Sequence, residues 1–250
     1  EIMNEKKLEF KLPAQAPERL EINNTLQVPA MLWEFLQRFD VQPPQIKEVA
    51  AAQSLYGYTT YDGVQFFENI QLGKKNEHGL QPIARLRYRL YQYVIIINHF
   101  KDEMYICENK MRGLESEMQW IESLIKSHDV PAYPFKTAGD EASNMTDEDY
   151  MQMVKKGITS CHRGDVFQIV LSRRFAQRFT GDEFNVYRAL RSINPSPYLF
   201  YFDYGDYKIM GSSPEAQLII KDGKAIMHPI AGTFRRTGDE HQDALLAEAL

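Results

Sequence analysis

The chain has 250 residues, of which 44% are hydrophobic, and a formal net charge of -5 at pH 7, as in many globular proteins. This acidity argues against nucleic acid or an anionic membrane as the main partner, since phosphate binding needs a clustered excess of Lys and Arg. The sequence contains no apolar run of the roughly 18 residues that a membrane span needs, and no secretory pattern. Its two cysteines give no disulfide framework. We therefore expect a cytoplasmic protein.

The first part of the chain mixes extended and helical patterns. Residues 1–30 hold prolines among charged residues and predict an arm or an edge strand. An apolar stripe at helical spacing then predicts a helix that ends before Pro43. A second short helix is predicted over residues 46–52. The aromatic stretch Leu55–Asp62 predicts a strand, and Gly57 at its centre indicates that another backbone passes close by.

A hairpin and a helix are predicted next. Residues 91–100 lack clean alternation of apolar and polar residues, so we expect a strand that is buried on both faces. Residues 101–103 turn the chain into a second strand over residues 104–107. Apolar residues at helical spacing predict a helix within residues 113–128. The polar, proline-containing residues 129–144 predict a surface connection.

The second part of the chain begins with a strong helix signal. Thr146 and the acidic residues after it are typical of a helix start, and Gly164 is typical of a helix end. The apolar run Val166–Ser172 predicts a buried strand. Asp222 and Gly223 form a typical two-residue hairpin turn. Because hairpins predominate, the predicted fold class is α+β, with largely antiparallel sheets flanked by helices.

Four motifs occur in order along this part of the chain. They are Gly164–Phe175 (GDVFQIVLSRRF), Asn194–Tyr201 (NPSPYLFY), Gly211–Glu215 (GSSPE) and Met227–Thr233 (MHPIAGT). Together they resemble the chorismate-binding enzymes, most closely the anthranilate synthase component I branch. The resemblance is dense from about Leu55 to Gly238. It implies the fold of that family, with residues 1–140 as the N-terminal, regulatory region and residues 141–250 as the start of the chorismate-binding catalytic domain.

Two residues fall at catalytic positions of the family. Gln168 carries an amide that needs hydrogen-bond partners if it is buried, and bonding to a neighbouring loop would satisfy it as well. In relatives that add water to chorismate this position is a lysine that acts as a general base, whereas relatives that add ammonia have glutamine. Ala231 stands where relatives that make aminodeoxychorismate have a nucleophilic lysine. The resemblance therefore implies direct attack of ammonia on C2 of chorismate, giving anthranilate and pyruvate.

Two ligand sites are implied by the same resemblance. Gly232 and Thr233 match chorismate contacts, a backbone amide and a hydroxyl suited to a carboxylate. A tryptophan feedback site is implied at Asn194, Pro195, Pro197, Tyr198, Leu199, Phe200 and Gly211. From the residues alone, this second stretch could equally form an aromatic strand edge in the core.

The resemblance also implies a cofactor and partners. The resemblance implies that the reaction uses Mg²⁺, with its ligands in the part of the family that continues beyond Leu250. The six histidines of this chain are scattered without metal spacing. The partners would be chorismate, a glutamine amidotransferase subunit that supplies ammonia, and tryptophan as effector. The chain opens without methionine and ends in a helical pattern, so we expect a fragment that is inactive alone. Aminodeoxychorismate synthase, isochorismate or salicylate synthase, and a non-catalytic ligand-binding module remain the alternatives.

Overall fold

The computed structural model describes residues 1–3, 6–72, 83–127, 130–131, 133–230 and 235–248. Within these residues lie 12 β-strands and five α-helices. The strands form six two-stranded antiparallel sheets. The predicted α+β class, with largely antiparallel sheets and helices, is confirmed.

The chain divides into two compact units, Glu1–Val130 and Pro131–Leu250. The structural boundary precedes residue 140 because residues on both sides of that position belong to one strand, Phe135–Ser143. The functional division into residues 1–140 and 141–250 stays a prediction.

The first unit holds three of the sheets. Its elements are β1 (Lys7–Phe10), β2 (Glu18–Glu21), α1 (Val28–Leu36), β3 (Leu55–Thr59), β4 (Leu86–Leu90), β5 (Tyr93–Asn98), β6 (Glu103–Glu108) and α2 (Met118–Lys126). Strand β1 pairs with β2, β3 with β4, and β5 with β6. The predicted helices and the β5–β6 hairpin are confirmed, and the predicted second short helix is a 3-10 helix over Lys47–Gln53.

The core of the first unit is built largely from its N-terminal residues. Ile2, Leu8 and Val28 are fully buried, and Phe66 and Leu86 complete the same cluster. Burial of one such side chain stabilises the fold by about 1.5–3 kcal/mol. The prediction of an arm or a single edge strand over residues 1–30 was therefore incomplete, because this stretch forms a hairpin that supplies core side chains.

Two predictions about strands of the first unit have opposite outcomes. A β-carbon at Gly57 would lie only 2.0 Å from the carbonyl oxygen of Arg87, so the predicted close approach of a second backbone is confirmed. The predicted burial of residues 91–100 on both faces is wrong, since Ile95 is 47% exposed and Ile97 is 55% exposed. An apolar run does not reveal how many faces of a strand find neighbours, and within the described residues this sheet has two strands only.

The second unit holds the other three sheets. Its elements are β7 (Phe135–Ser143), α3 (Asp147–Arg163), β8 (Phe175–Gly181), α4 (Phe184–Ile193), β9 (Tyr198–Asp203), β10 (Lys208–Ser213), β11 (Ile219–Lys221), β12 (Lys224–Ile226) and α5 (Glu240–Glu248). Strand β7 pairs with β8, β9 with β10, and β11 with β12. The prediction of a surface stretch over residues 129–144 is confirmed for β7, whose residues are mostly exposed, but the prediction of an irregular connection is wrong. Residues 135–143 form β7 by pairing their backbone with β8.

The predicted start and end of α3 and the predicted turn between β11 and β12 are confirmed. The Thr146 hydroxyl accepts a hydrogen bond from the Asp149 N–H at 3.1 Å, and the Asp149 carboxylate accepts one from the Thr146 N–H. Gly164 ends α3 with a φ of 78°. The β11–β12 turn places both Asp222 and Gly223 at positive φ, as a type I′ hairpin requires.

Candidate functional site

The segment that carries Gln168 lies between α3 and β8 and belongs to neither a helix nor a strand. Phe167 is 97% exposed and Val170 is 85% exposed, and Gln168 is exposed as well. The predicted buried strand over Val166–Ser172 is wrong, because no strand in the described part of the chain pairs with it. Within those residues the Gln168 amide has no hydrogen-bond partner, so it is available to a ligand.

The second predicted site follows β12. Met227, His228, Pro229 and Ile230 are all solvent-accessible where the chain leaves the β11–β12 hairpin. Ala231, Gly232 and Thr233 lie outside the described residues. Their predicted roles therefore stay predictions.

A buried carboxylate fixes the chain shortly after this motif. Asp243 is 7% exposed and accepts hydrogen bonds from the Thr237 N–H at 2.8 Å, the Thr237 hydroxyl at 2.9 Å and the Arg236 Nε at 2.9 Å. The Thr237 backbone bond and the Arg236 bond lower the pKa of Asp243 from 3.8 to about 2. Sequence reasoning missed this anchor, although an acidic residue in the first turn of a helix is a recognisable signal.

The predicted tryptophan segment includes the loop before β9, and β10 closes that loop. The Ser212 hydroxyl donates to the Asn194 carbonyl oxygen at 2.5 Å and accepts a hydrogen bond from the Ser196 N–H at 3.4 Å. Asn194, Pro195 and Pro197 form the outer part of this loop. Sequence reasoning did not select Ser212, although it lies in the quoted Gly-Ser-Ser-Pro-Glu motif.

The structure brings Phe200 and Gly211 together as a cross-strand pair of β9 and β10. A β-carbon on Gly211 would lie 2.4 Å from Cζ of Phe200, so the aromatic ring lies across the glycine. Leu199 pairs with Ser212 and the exposed Tyr198 pairs with Ser213. The predicted residues Tyr198, Leu199, Phe200 and Gly211 thus share one hairpin, in which Tyr198 lies opposite Ser213.

Helix α4 supports the opposite face of this hairpin. The Phe184 and Tyr201 rings meet edge to face, with centroids 5.1 Å apart. Lys208 reaches Asp203 at 3.0 Å and Glu183 at 3.4 Å, and the hydrogen bond to Asp203 raises the pKa of Lys208. Because successive residues of a strand point to opposite faces, Phe200 is directed away from the helix.

In the part of the chain that it describes, the structure brings the residues of the tryptophan segment together but does not connect Gln168 to them. The residues of the tryptophan segment lie on the β9–β10 hairpin and on the loop before it, but no hydrogen bond or ring contact between described residues joins Gln168 to them. Within the described ranges, no group of three or more His, Cys, Asp or Glu side chains could hold a metal ion. No helix there is long and apolar enough to cross a membrane.

The fold is α+β, and the described residues of the motifs named above lie on its hairpins and connections. The profile of a family described as chorismate binding enzyme matches residues 3–250. The chain therefore belongs to the chorismate-binding enzyme family.

Several similar proteins are subunits of anthranilate synthase. Anthranilate synthase component 1 of Thermus thermophilus is 34% identical over 199 residues, which cover 78% of this chain and 42% of the relative. Anthranilate synthase component 1 of Aquifex aeolicus is 33% identical, with the same two coverages. The chloroplastic anthranilate synthase alpha subunit 1 of Arabidopsis thaliana is 32% identical over 216 residues, which are 36% of that protein. The chain thus spans less than half the length of these relatives.

A solved structure has the same fold. The crystal structure of anthranilate synthase component I from Streptococcus pneumoniae TIGR4 matches with a TM-score of 0.65 and 23% identity. The match covers 97% of this chain and 54% of the other chain. At this identity the comparison establishes the fold alone.

Proposed function

We propose that this chain is the part of an anthranilate synthase component I that carries the ammonia-branch glutamine. The complete enzyme would convert chorismate and ammonia to anthranilate, pyruvate and water in tryptophan biosynthesis, with the ring hydroxyl of chorismate leaving as water when ammonia adds at C2. Membership of the chorismate-binding family and similarity to relatives named anthranilate synthase component 1 support the proposal. Because the chain spans 42% of the first of these relatives, the whole reaction is proposed for a longer protein.

The observation that carries this proposal is the exposed amide of Gln168, which has no hydrogen-bond partner among the residues that the structure describes. Water is a weak nucleophile and needs a nearby base, whereas neutral ammonia attacks without one. A glutamine amide cannot act as that base, but it can hydrogen-bond ammonia without adding charge. This chemistry disfavours isochorismate or salicylate synthase. Ala231 provides no amine for covalent attack, which disfavours aminodeoxychorismate synthase.

The remaining parts of the site follow from the same proposal. Gly232 and Thr233 would bind a carboxylate of chorismate, and Ala231 would leave C2 open to ammonia. Mg²⁺ ligands would come from outside the described residues, and a glutamine amidotransferase subunit would deliver ammonia. The β9–β10 hairpin and the loop that precedes it would bind tryptophan as feedback inhibitor. A cytoplasmic location stays a prediction from composition.

Exchanging Gln168 tests the choice of nucleophile. In a polypeptide that continues beyond Leu250 as the relatives do, Gln168→Lys should lower anthranilate formation from chorismate and ammonium, because a cation then stands where a neutral nucleophile approaches. Anthranilate fluorescence measures the rate. Gln152→Lys introduces the same charge at an exposed position of α3 and should leave the rate unchanged. Equal rates for both variants would remove Gln168 from the site.

A second candidate function is a non-catalytic ligand-binding module. It is favoured by the finding that the described residues contain no metal-ligand group. Thermal-shift titrations of the 250-residue chain with tryptophan, with chorismate and with an amidotransferase subunit test it. A module should be stabilised by at least one of them, since a ligand at a hundred times its Kd adds about 2.7 kcal/mol. No shift with any of the three would contradict it.

A further inference from the structure

We propose that Gly157 and Arg173 are positioning residues. They hold the segment that carries Gln168 against helix α3, which we call the platform, and so keep the Gln168 side chain directed away from that helix. The inference rests on the proposed function, because it concerns how the chain orients the amide that would meet ammonia. It goes beyond that function in assigning the orientation of the amide to two residues outside the proposed chorismate and ammonia contacts.

The first contact is at a buried glycine of α3. A β-carbon at Gly157 would lie 3.4 Å from Cδ1 of Leu171 and 3.5 Å from Cγ2 of Ile169, so these two side chains rest directly on the helix backbone. Val170, between them, is 85% exposed. Gln168 is exposed like Val170, whereas Ile169 and Leu171 face Gly157.

The second contact fixes the end of the segment. Arg173 follows Ile169 and Leu171 on the inward side, and its side chain is only 17% exposed. Its Nε donates to the Ser143 hydroxyl at 2.8 Å and its Nη1 to the Asp147 carboxylate at 2.5 Å. The guanidinium also lies 4.6 Å from the centroid of the Phe175 ring. One side chain thus joins the end of β7, the start of α3 and the start of β8.

Hydrogen bonds from backbone N–H groups fix the position of both ends of this segment. The Arg174 N–H donates to the Asn144 side chain at 2.9 Å, and the Asn144 N–H donates to the Arg174 carbonyl oxygen at 3.1 Å. At the other end, the Asp165 N–H donates to the Ser160 carbonyl oxygen at 3.0 Å. A slip of one residue between these ends would turn Gln168 towards the helix.

These contacts matter because the segment has no strand ladder within the described chain. Its direction depends on the side chains that rest on α3 and on the clamp at Arg173. A shift of about 1 Å at a group that handles a nucleophile lowers the turnover rate by roughly a hundredfold. Chorismate contacts at Gly232 and Thr233 would not be moved, so the effect should appear in kcat and not in KM.

Two variants with matched controls test the proposal. Arg173→Gln removes the clamp, and Arg178→Gln makes the same change at an exposed position of β8. Gly157→Val pushes Ile169 and Leu171 outward, and Lys156→Val places the same side chain on the exposed side of α3. In the longer enzyme, Arg173→Gln and Gly157→Val should each lower kcat with ammonium by roughly a hundredfold while the KM for chorismate stays within about twofold.

A second readout does not depend on activity. Chymotrypsin should cut after the exposed Phe167 at least about tenfold faster in Arg173→Gln and Gly157→Val, because cleavage needs the segment to leave its platform. Unchanged cleavage would overturn the platform. Faster cleavage with unchanged kcat would overturn the positioning role while leaving the proposed function intact. Absence of anthranilate from the unsubstituted enzyme would overturn the proposed function, and the cleavage rates would still decide whether α3 holds the segment.

Discussion

Adding one methyl group at Gly211 should destabilise the β9–β10 hairpin, because the space above this glycine is filled by the ring of Phe200. The added β-carbon would lie 2.4 Å from Cζ and 2.8 Å from Cε1 of that ring. Ordinary carbon contacts are about 3.5–4.0 Å, so the ring must move by about 1 Å or more. The ring also neighbours Phe202, with centroids 5.9 Å apart, so its movement disturbs a second aromatic side chain.

The expected magnitude follows from two opposing effects. Overpacking of this kind costs about 1–3 kcal/mol. Replacing glycine by alanine in a strand recovers about 0.5–1 kcal/mol of backbone entropy. The central values, a cost of about 2 kcal/mol and a gain of about 0.75 kcal/mol, leave a net loss of about 1 kcal/mol in the free energy of unfolding. Gly211→Ala should therefore lower the Tm by roughly 2–4 °C for a chain of this size.

A double-mutant cycle isolates the responsible contact. Phe200→Leu removes the ring, so Gly211→Ala should cost at least about 1 kcal/mol less in that background than in the unsubstituted chain. Urea unfolding followed by circular dichroism measures all four proteins. Unchanged or increased stability of Gly211→Ala, or strictly additive effects in the cycle, would refute the reasoning from the ring position.

Three further predictions concern other contacts. Gly57→Ala should cost at least about 3 kcal/mol and disrupt β3–β4 pairing, because the methyl group meets a backbone oxygen at 2.0 Å; urea unfolding measures it. Thr146→Ala should cost about 1 kcal/mol, because the Asp149 N–H at the start of α3 loses its acceptor, and the urea midpoint reports the loss. The Asp243 pKa is lowered in the folded chain, so its contribution to stability is present above about pH 4 and is lost as the pH falls towards 2. Thermal unfolding from pH 5 to pH 2 should therefore show a steeper fall for the unsubstituted chain than for Asp243→Asn.

Each of these three predictions has a result that would contradict it. A Gly57→Ala chain of unchanged stability would mean that β3 and β4 are not as close as described. An unchanged urea midpoint for Thr146→Ala would mean that the cap contributes nothing. Parallel pH profiles for the unsubstituted chain and Asp243→Asn would mean that the carboxylate is not bonded as the structure shows.

Local chemistry could be predicted from the sequence because the deciding atoms lie within a few residues of one another. The cap of α3 needs only Thr146 and Asp149, and the β11–β12 turn needs only Asp222 and Gly223. The close approach at Gly57 was predictable because a glycine within a strand lacks the side chain that would hold a neighbouring backbone away.

The environment of Gln168 was not predictable in the same way. Apolar and β-branched residues around it indicate an extended backbone, but they do not reveal whether a partner strand is present. Strand β7 was missed for the converse reason, since its polar residues conceal a backbone that pairs with β8. The roles of Ser212 and Asp243 depend on which loop each side chain meets, and that information exists only in the folded chain.

Anthranilate fluorescence with chorismate, ammonium and Mg²⁺ tests the proposed function most directly. The measurement compares the 250-residue chain with a polypeptide that continues beyond Leu250 over the length of the relatives. We predict anthranilate from the longer polypeptide and none from the shorter chain, which spans less than half the length of the relatives. Isochorismate, salicylate or aminodeoxychorismate as the product of the longer polypeptide, or anthranilate from the 250-residue chain alone, would contradict the proposal.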